Sequence, residues 1–240
     1  MSTNPNNKRR AEAARVAASL VAAALVLVVG AGDALGHEAS TARANFVPPE
    51  PGSYRLERIQ VLPDGAVVDT SNRRARLARY TQGRITLLSL MYTSCADPSG
   101  CPMALYTLQK VRRNLELEKS TGDRVRIVSL SFDPAYDTPS VLKAYGGGET
   151  SRRSAVPWDF LTAHSPQDLR PVLDGLGQDV RVPADPKAAA KRGNLSHTLK
   201  VFLIDRNGWV REIYTNNFLV PQMIVNDVQT LLLEDGVKLR

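Results

Sequence analysis

The sequence feature that most constrains the fold is an apolar segment running into a loop that carries both cysteines of the chain. Residues 84–91 are largely apolar and leave little room for a solvated face, which favours a strand buried on both sides of a sheet. Beyond Cys95 and Cys101, Pro102 suits the first position of a helix, because its missing N–H has no partner there. The sequence therefore predicts a strand-to-helix loop with Cys101 at the positive end of a helix, which favours the thiolate.

A second strand, predicted for residues 124–132, follows this helix. A strand, a crossover helix and a second strand form a right-handed βαβ unit within one sheet. A further helix is predicted to begin at Thr138-Pro139 and to be stopped by the glycine run 146–148.

The remaining patterns add antiparallel strands and determine the fold class. Short β-like segments on either side of Pro63-Asp64-Gly65 predict an N-terminal hairpin, and a polar loop, 179–194, leads to a second hairpin. We therefore predict an α/β fold, a thioredoxin-like mixed sheet flanked by helices, with an N-terminal β-hairpin. The last elements are expected to be strands at 197–205 and 209–214 and a closing helix at 221–233.

The N-terminal residues predict export. Lys8-Arg9-Arg10 precede the apolar run 16–30, which is the order of a charged and then a hydrophobic region in a signal peptide. We assign residues 1–36 to a signal peptide or membrane anchor, 37–52 to a proline-rich tether and 53–240 to the thioredoxin-like domain. The expected location is the periplasm, free or anchored to the inner membrane by the first segment.

The net charge of +7 does not predict nucleic-acid binding. The arginines are scattered, and no basic motif interleaved with aromatic residues is present in the sequence. We expect no nucleic-acid partner and no membrane contact other than through an N-terminal anchor.

The cysteine pair allows three functions. In an oxidising compartment Cys95 and Cys101 can form a disulfide, either as an inert staple of a binding module or as the redox pair of a thiol–disulfide oxidoreductase. As thiolates they can instead hold a soft metal ion. A staple gains more stability by closing a long loop than this short one, which favours a functional pair.

Several short motifs are spread along the chain. They are Tyr92-Thr93-Ser94-Cys95 with Cys101-Pro102, Ser131-Phe132-Asp133-Pro134, Asp137-Thr138-Pro139, Ser196-His197 and Phe202-Leu203-Ile204-Asp205 with Gly208. As a set they resemble the motifs of the SCO (SenC) family, and the likeness spans about Tyr54 to Leu233. The resemblance implies a thioredoxin-fold copper protein that delivers copper or electrons to the copper-site subunit of cytochrome c oxidase or to another apo-cuproprotein.

The same resemblance implies a ligand set. Cys95, Cys101 and His197 match the family's ligands for one copper ion, as Cu(I) or Cu(II), and Asp133 matches the acidic residue near the site. Because the thiols must stay reduced, a periplasmic thiol reductant is an implied partner. The sequence departs from the family in one respect: five residues, 96–100, separate the cysteines where three are usual. The longer loop also makes disulfide closure easier.

Overall fold

An eight-stranded mixed sheet forms the centre of the fold in a computed structural model that describes residues 47–150, 153–185, 187 and 193–239. Its spatial strand order is β1-β10-β9-β4-β5-β6-β2-β3, with β4, β5 and β6 parallel to one another and the other pairs antiparallel. The strands are β1 (Gln60–Val61), β2 (Ala66–Asp69), β3 (Arg74–Arg76), β4 (Ile85–Met91), β5 (Val125–Ser131), β6 (Trp158–Thr162), β9 (Val201–Ile204) and β10 (Trp209–Tyr214), while β7 (Val180–Arg181) and β8 (Ser196–His197) form a separate two-stranded sheet.

Helices cover both faces of this sheet, so each face has its own apolar core. All seven residues of β4 are buried, as the apolar run predicts. Successive side chains of a strand point to opposite faces, and Leu87 accordingly joins one core while Leu88 joins the other. The helices are α1 (Ala78–Thr81), α2 (Cys101–Leu117), α3 (Pro139–Thr150), α4 (Pro166–Gly175) and α5 (Pro221–Glu234).

The predicted N-terminal hairpin around residues 63–65 does not form. Strand β1 pairs with β10, and β2 pairs with β3 and β6. The side chain of Asp64 does not close a turn between β1 and β2. It accepts a hydrogen bond from the backbone N–H of Ala78 at 3.0 Å. The reversal lies instead between β2 and β3, where the Asp69 carboxylate accepts the backbone N–H groups of Ser71 and Arg73.

The connection between β1 and β2 shows that the sheet is strongly curved. These strands are first and seventh in the spatial order, which in a flat sheet would place them roughly 29 Å apart. Residues 62–65 can bridge at most about 18 Å between them. The sheet therefore bends around the core that contains Leu62, Val67 and Val172.

Helix α3 also differs from the sequence prediction, because it continues through the glycine run to Thr150. Gly146 is buried, and a Cβ at this position would come within 2.5–2.7 Å of the Phe160 ring. Close packing of the helix on β6 therefore requires glycine at 146. Gly147 and Gly148 have no atoms within 4 Å of such a Cβ.

Two other predictions have different outcomes. The strand predicted for residues 197–205 is divided, so that His197 lies in the small β7–β8 sheet and β9 begins at Val201. The signal peptide or anchor, 1–36, and residues 37–46 of the tether lie outside the described residues. No helix within the described ranges is both long and apolar enough to cross a membrane.

Candidate metal centre

Three separate elements bring Cys95, Cys101 and His197 together. Strand β4 leads into the loop that carries Cys95, α2 begins with Cys101, and β8 ends with His197. The two sulfur atoms and an imidazole nitrogen all lie within 4.8 Å of one another. Cys101 is buried, whereas Cys95 and His197 are partly exposed. The chain thus presents two sulfur donors and one nitrogen donor at a single, partly exposed point.

Hydrogen bonding orients the His197 ring. Its Nδ1 lies 3.0 Å from the carbonyl oxygen of Leu195, and since a carbonyl only accepts, Nδ1 must carry the proton. In the neutral ring this leaves the lone pair on Nε2, which faces Cys101 Sγ at 3.6 Å. The ring also packs against Tyr92 and Phe132, with centroid distances of 5.3 and 5.1 Å. The nitrogen that faces the cysteines is therefore the one that can bind a metal.

The Cys101 thiol does not behave as its position at a helix N-terminus predicts. Its pKa is raised from 9.0 to about 12, with burial as the largest cause; hydrogen bonding to the Tyr92 backbone opposes this rise and the proximity of Cys95 adds to it. With the side chain only 3% exposed, desolvation outweighs the favourable end of the α2 dipole. In the metal-free chain Cys101 is therefore a protonated thiol at neutral pH, and a metal ion must displace that proton.

The five-residue spacer between the cysteines folds into its own turn. The Asp97 carboxylate accepts hydrogen bonds from the N–H and the hydroxyl of Ser99, and Gly100 N–H donates to the Asp97 carbonyl at 3.0 Å. From outside the loop, the Asn216 side chain donates to the Ser99 carbonyl at 3.0 Å. The additional residues are thus braced, and the two sulfurs stay close despite the longer loop.

The carboxylate that supports the cysteine loop is Asp137. Its side chain is fully buried and accepts hydrogen bonds from Thr93 N–H at 2.9 Å, from Ser131 Oγ at 2.5 Å and from the Thr93 hydroxyl. It thereby joins the first residues of the loop to the end of β5. Asp133 is not a member of the group of donor atoms; it is half-buried, and its N–H donates to Ser131 Oγ at 3.1 Å. In the sequence, Asp137-Thr138-Pro139 was one of the motifs of the family resemblance and predicted a helix start, but it gave no role for Asp137 at the site.

Both cysteines are free thiols in this structure. Their sulfur atoms lie within 4.8 Å of each other, and a disulfide would require them to approach to about 2.05 Å. The disulfide between Cys95 and Cys101 stays a prediction.

Comparison with known proteins identifies related sequences and folds. The family model SCO1/SenC matches residues 65–233. A search of curated proteins found no match to the sequence.

Solved structures of three Sco proteins resemble the chain over most of its length. Arabidopsis thaliana ScoI with copper bound has a TM-score of 0.61 at 16% identity and covers 73% of this chain and 99% of its own. Bradyrhizobium japonicum ScoI with copper bound has a TM-score of 0.57 at 22% identity, covering 72% and 100%. BsSco, described as a member of the Sco family of cytochrome c oxidase assembly proteins, has a TM-score of 0.54 at 21% identity, covering 78% and 98%. At these identities the likeness establishes the thioredoxin-like fold.

Proposed function

Because the chain belongs to the SCO1/SenC family, we propose that it binds one copper ion and supports assembly of the copper site of cytochrome c oxidase. The observation that carries the proposal is the convergence of Cys95 Sγ, Cys101 Sγ and the His197 imidazole within 4.8 Å. Thiolates are soft donors and imidazole is an intermediate one. Two thiolates and one imidazole suit Cu(I) or a thiolate-bound Cu(II). Copper is the cargo of such a protein.

The solved relatives support this choice of metal and partner. Two of them hold copper, and a third is described as a cytochrome c oxidase assembly protein. The partner we propose is accordingly the oxidase subunit that receives copper, or another apo-cuproprotein. Because the thiols must be reduced before copper binds, a thiol reductant in the same compartment completes the scheme.

The three ligand residues differ in ways that suit transfer of the ion. Cys101 is fixed at the first turn of α2 and shielded from solvent, so its sulfur is the anchoring ligand. Cys95 and His197 are more exposed, and they lie on a loop and on a two-residue strand. A receiving protein can therefore replace the sulfur of Cys95 or the nitrogen of His197 first, while Cys101 retains the ion and afterwards takes up a proton again.

We also propose that the chain is exported and works in the periplasm. The support is the N-terminal pattern of a basic segment followed by residues 16–30, which a signal peptide or an anchor would require. Analysis of the mature N-terminus by mass spectrometry, after fractionation of cells into cytoplasm, periplasm and membrane, tests this part. Recovery of the chain with an intact N-terminus in the cytoplasm would contradict it.

Copper binding is tested on the reduced protein by titration with Cu(I) in the presence of a chelator of known affinity. We expect one equivalent to be retained, and Cu(II) to give a thiolate-to-copper charge-transfer band. His197→Ala should weaken binding and change this band, whereas His164→Ala is the matched control because this histidine contacts Arg74 and not the cysteines. Failure of the reduced wild-type protein to retain copper, or equal behaviour of the two histidine variants, would contradict the proposal.

A second candidate, a thiol–disulfide oxidoreductase, is favoured by the pair of free thiols at short distance. In that reaction the Cys95 thiolate attacks a substrate disulfide and releases one substrate thiol. Cys101 then loses its proton and displaces the second substrate thiol, so the substrate is reduced and the chain holds a disulfide. Because burial raises the pKa of Cys101, Cys95 is the attacking residue. Catalytic reduction of a model disulfide without copper binding would establish this function in place of the first, and absence of both activities would leave the binding module with a structural disulfide.

A further inference from the structure

Tyr92 connects the cysteine loop to the segment that carries His197. It directly follows β4 and is 1% exposed. Its hydroxyl donates a hydrogen bond to the Gly193 carbonyl at 2.7 Å and lies 3.5 Å from the Leu195 carbonyl. Its ring meets the His197 ring edge-on, at an interplanar angle of 84°. One side chain thus contacts the histidine and the backbone that precedes it.

Gly193 forms the other half of this contact. Its φ of +86° lies in the left-handed region, which favours glycine, and a Cβ on it would overlap the carbonyl oxygen of Ser94 and lie 3.2 Å from Ala96 Cβ. The backbone of residue 193 therefore rests directly on the cysteine loop. We call the contact of Tyr92 and Gly193 across these two segments the Tyr92–Gly193 latch.

We propose that Tyr92 is a positioning residue for the metal centre, whose hydroxyl, through the latch, holds the His197 imidazole over the two cysteine sulfurs. The expected effect of Tyr92 on copper affinity rests on the proposed copper function. The latch itself is present in the fold without metal.

The strand that carries His197 needs such support. Within the part of the chain that the structure describes, the two-residue strand β8 pairs only with the two residues of β7, and a pair of this length is not stable alone. The Leu195 carbonyl accepts a hydrogen bond from the Nδ1–H group of His197 and lies beside the Tyr92 hydroxyl. The Tyr92 hydroxyl, the Leu195 carbonyl and the His197 imidazole therefore lie next to one another in that order. Loss of the hydroxyl would leave the Leu195 carbonyl, which orients the ring, less firmly held.

Tyr92→Phe is the informative substitution, because it keeps the ring against His197 and removes only the hydroxyl. A net hydrogen bond corresponds to about a tenfold change in an equilibrium constant, so we expect copper affinity to fall roughly tenfold. Tyr214→Phe is the matched control, since Tyr214 is also fully buried and its hydroxyl donates one hydrogen bond, at 2.7 Å, to Asp227. It should leave copper affinity unchanged.

The first measurement uses the metal-free full chain. Amide hydrogen exchange at residues 193–197 should be faster in Tyr92→Phe than in the wild type, and unchanged in Tyr214→Phe. Gly193→Ala provides a second perturbation of the same latch, and it should accelerate exchange in the same segment. Unchanged exchange at 193–197 in Tyr92→Phe would overturn the latch.

The second measurement follows the nitrogen ligand. Electron paramagnetic resonance of the Cu(II)-loaded protein should show weaker nitrogen coupling in Tyr92→Phe, shifted toward the spectrum of His197→Ala, and the Tyr214→Phe spectrum should match the wild type. A Tyr92→Phe spectrum and affinity identical to wild type would overturn the positioning role. If the wild type itself binds no copper, the proposed function fails, whereas the exchange experiment still decides whether the latch exists.

Discussion

Replacing Asp137 by alanine tests how the cysteine loop is held in place. The carboxylate is fully buried and accepts three hydrogen bonds, two from Thr93 and one from Ser131. Asp137→Ala leaves all three donors without this acceptor, two of them at the first turn of the loop that carries Cys95. We expect the substitution to lower both the stability of the fold and the affinity of the metal centre.

The magnitude follows from the three hydrogen bonds. Each bond to a charged acceptor contributes about 1.5–3 kcal/mol, and removing the carboxylate also recovers a desolvation penalty of several kcal/mol. The balance is a loss of about 3 kcal/mol in the free energy of unfolding, near the upper end of what single substitutions usually produce. Asp137→Asn retains one acceptor oxygen and the shape of the side chain, so its loss should be smaller, about 1–2 kcal/mol.

Urea unfolding of the metal-free protein gives the free energies, and Cu(I) competition gives the affinities. Asp227→Ala is the control, because Asp227 is also buried and accepts hydrogen bonds from Tyr54 and Tyr214, outside the metal centre. It should lower stability and leave copper affinity unchanged. A loss below about 1 kcal/mol for Asp137→Ala, or equal effects of the two alanine variants on copper affinity, would refute the reasoning.

Three further predictions concern the helix, pH dependence and thiol reactivity. Gly147→Ala should raise the free energy of unfolding by about 0.5–1 kcal/mol through helix propensity, whereas Gly146→Ala should lower it by about 1–3 kcal/mol because its Cβ meets the Phe160 ring; urea unfolding that ranks them otherwise would contradict the packing. Burial raises the pKa of Asp159 above 3.8, so the folded chain holds a proton that the unfolded chain has lost, and stability falls as pH rises above about 4. In a plot of the free energy of unfolding against pH, Asp159→Asn should remove the fall that Asp159 causes. An unchanged slope in this variant would refute the role of Asp159. Burial also raises the pKa of Cys101 to about 12, so iodoacetamide at neutral pH should leave Cys101 unmodified in the metal-free protein. Peptide mass spectrometry follows the modification of each cysteine, and modification of Cys101 as fast as that of Cys95 would contradict this prediction.

The elements that carry the site could be predicted because their signals are local. The apolar run of β4 favours a doubly buried strand, and Pro102 at the second position of α2 marks the helix start. The shared location of Cys95 and Cys101 follows directly from these two elements. The assignment of His197 to the same site depended on resemblance, since it is 96 positions from Cys101 and neither composition nor periodicity indicates that the two residues meet.

The errors arose where tertiary contacts decide the structure. The sequence Pro63-Asp64-Gly65 is typical of a hairpin turn, but the Asp64 carboxylate accepts a hydrogen bond from the N–H of Ala78, the first residue of α1. The glycine run that begins at Gly146 predicts the end of a helix. The helix continues nevertheless, because Gly146 has no Cβ and therefore fits against the Phe160 ring. The roles of Asp137 and Tyr92 depend on hydrogen bonds to segments 44 and 101 positions away, so sequence patterns alone could not assign them.

X-ray absorption at the copper edge, on the reduced full chain loaded with one equivalent of copper, tests the central claim most directly. The account predicts two sulfur ligands and one nitrogen ligand per copper, with the nitrogen lost in His197→Ala and one sulfur lost in Cys95→Ser. A copper environment without sulfur, or one that His197→Ala leaves unchanged, would contradict the three-residue metal centre.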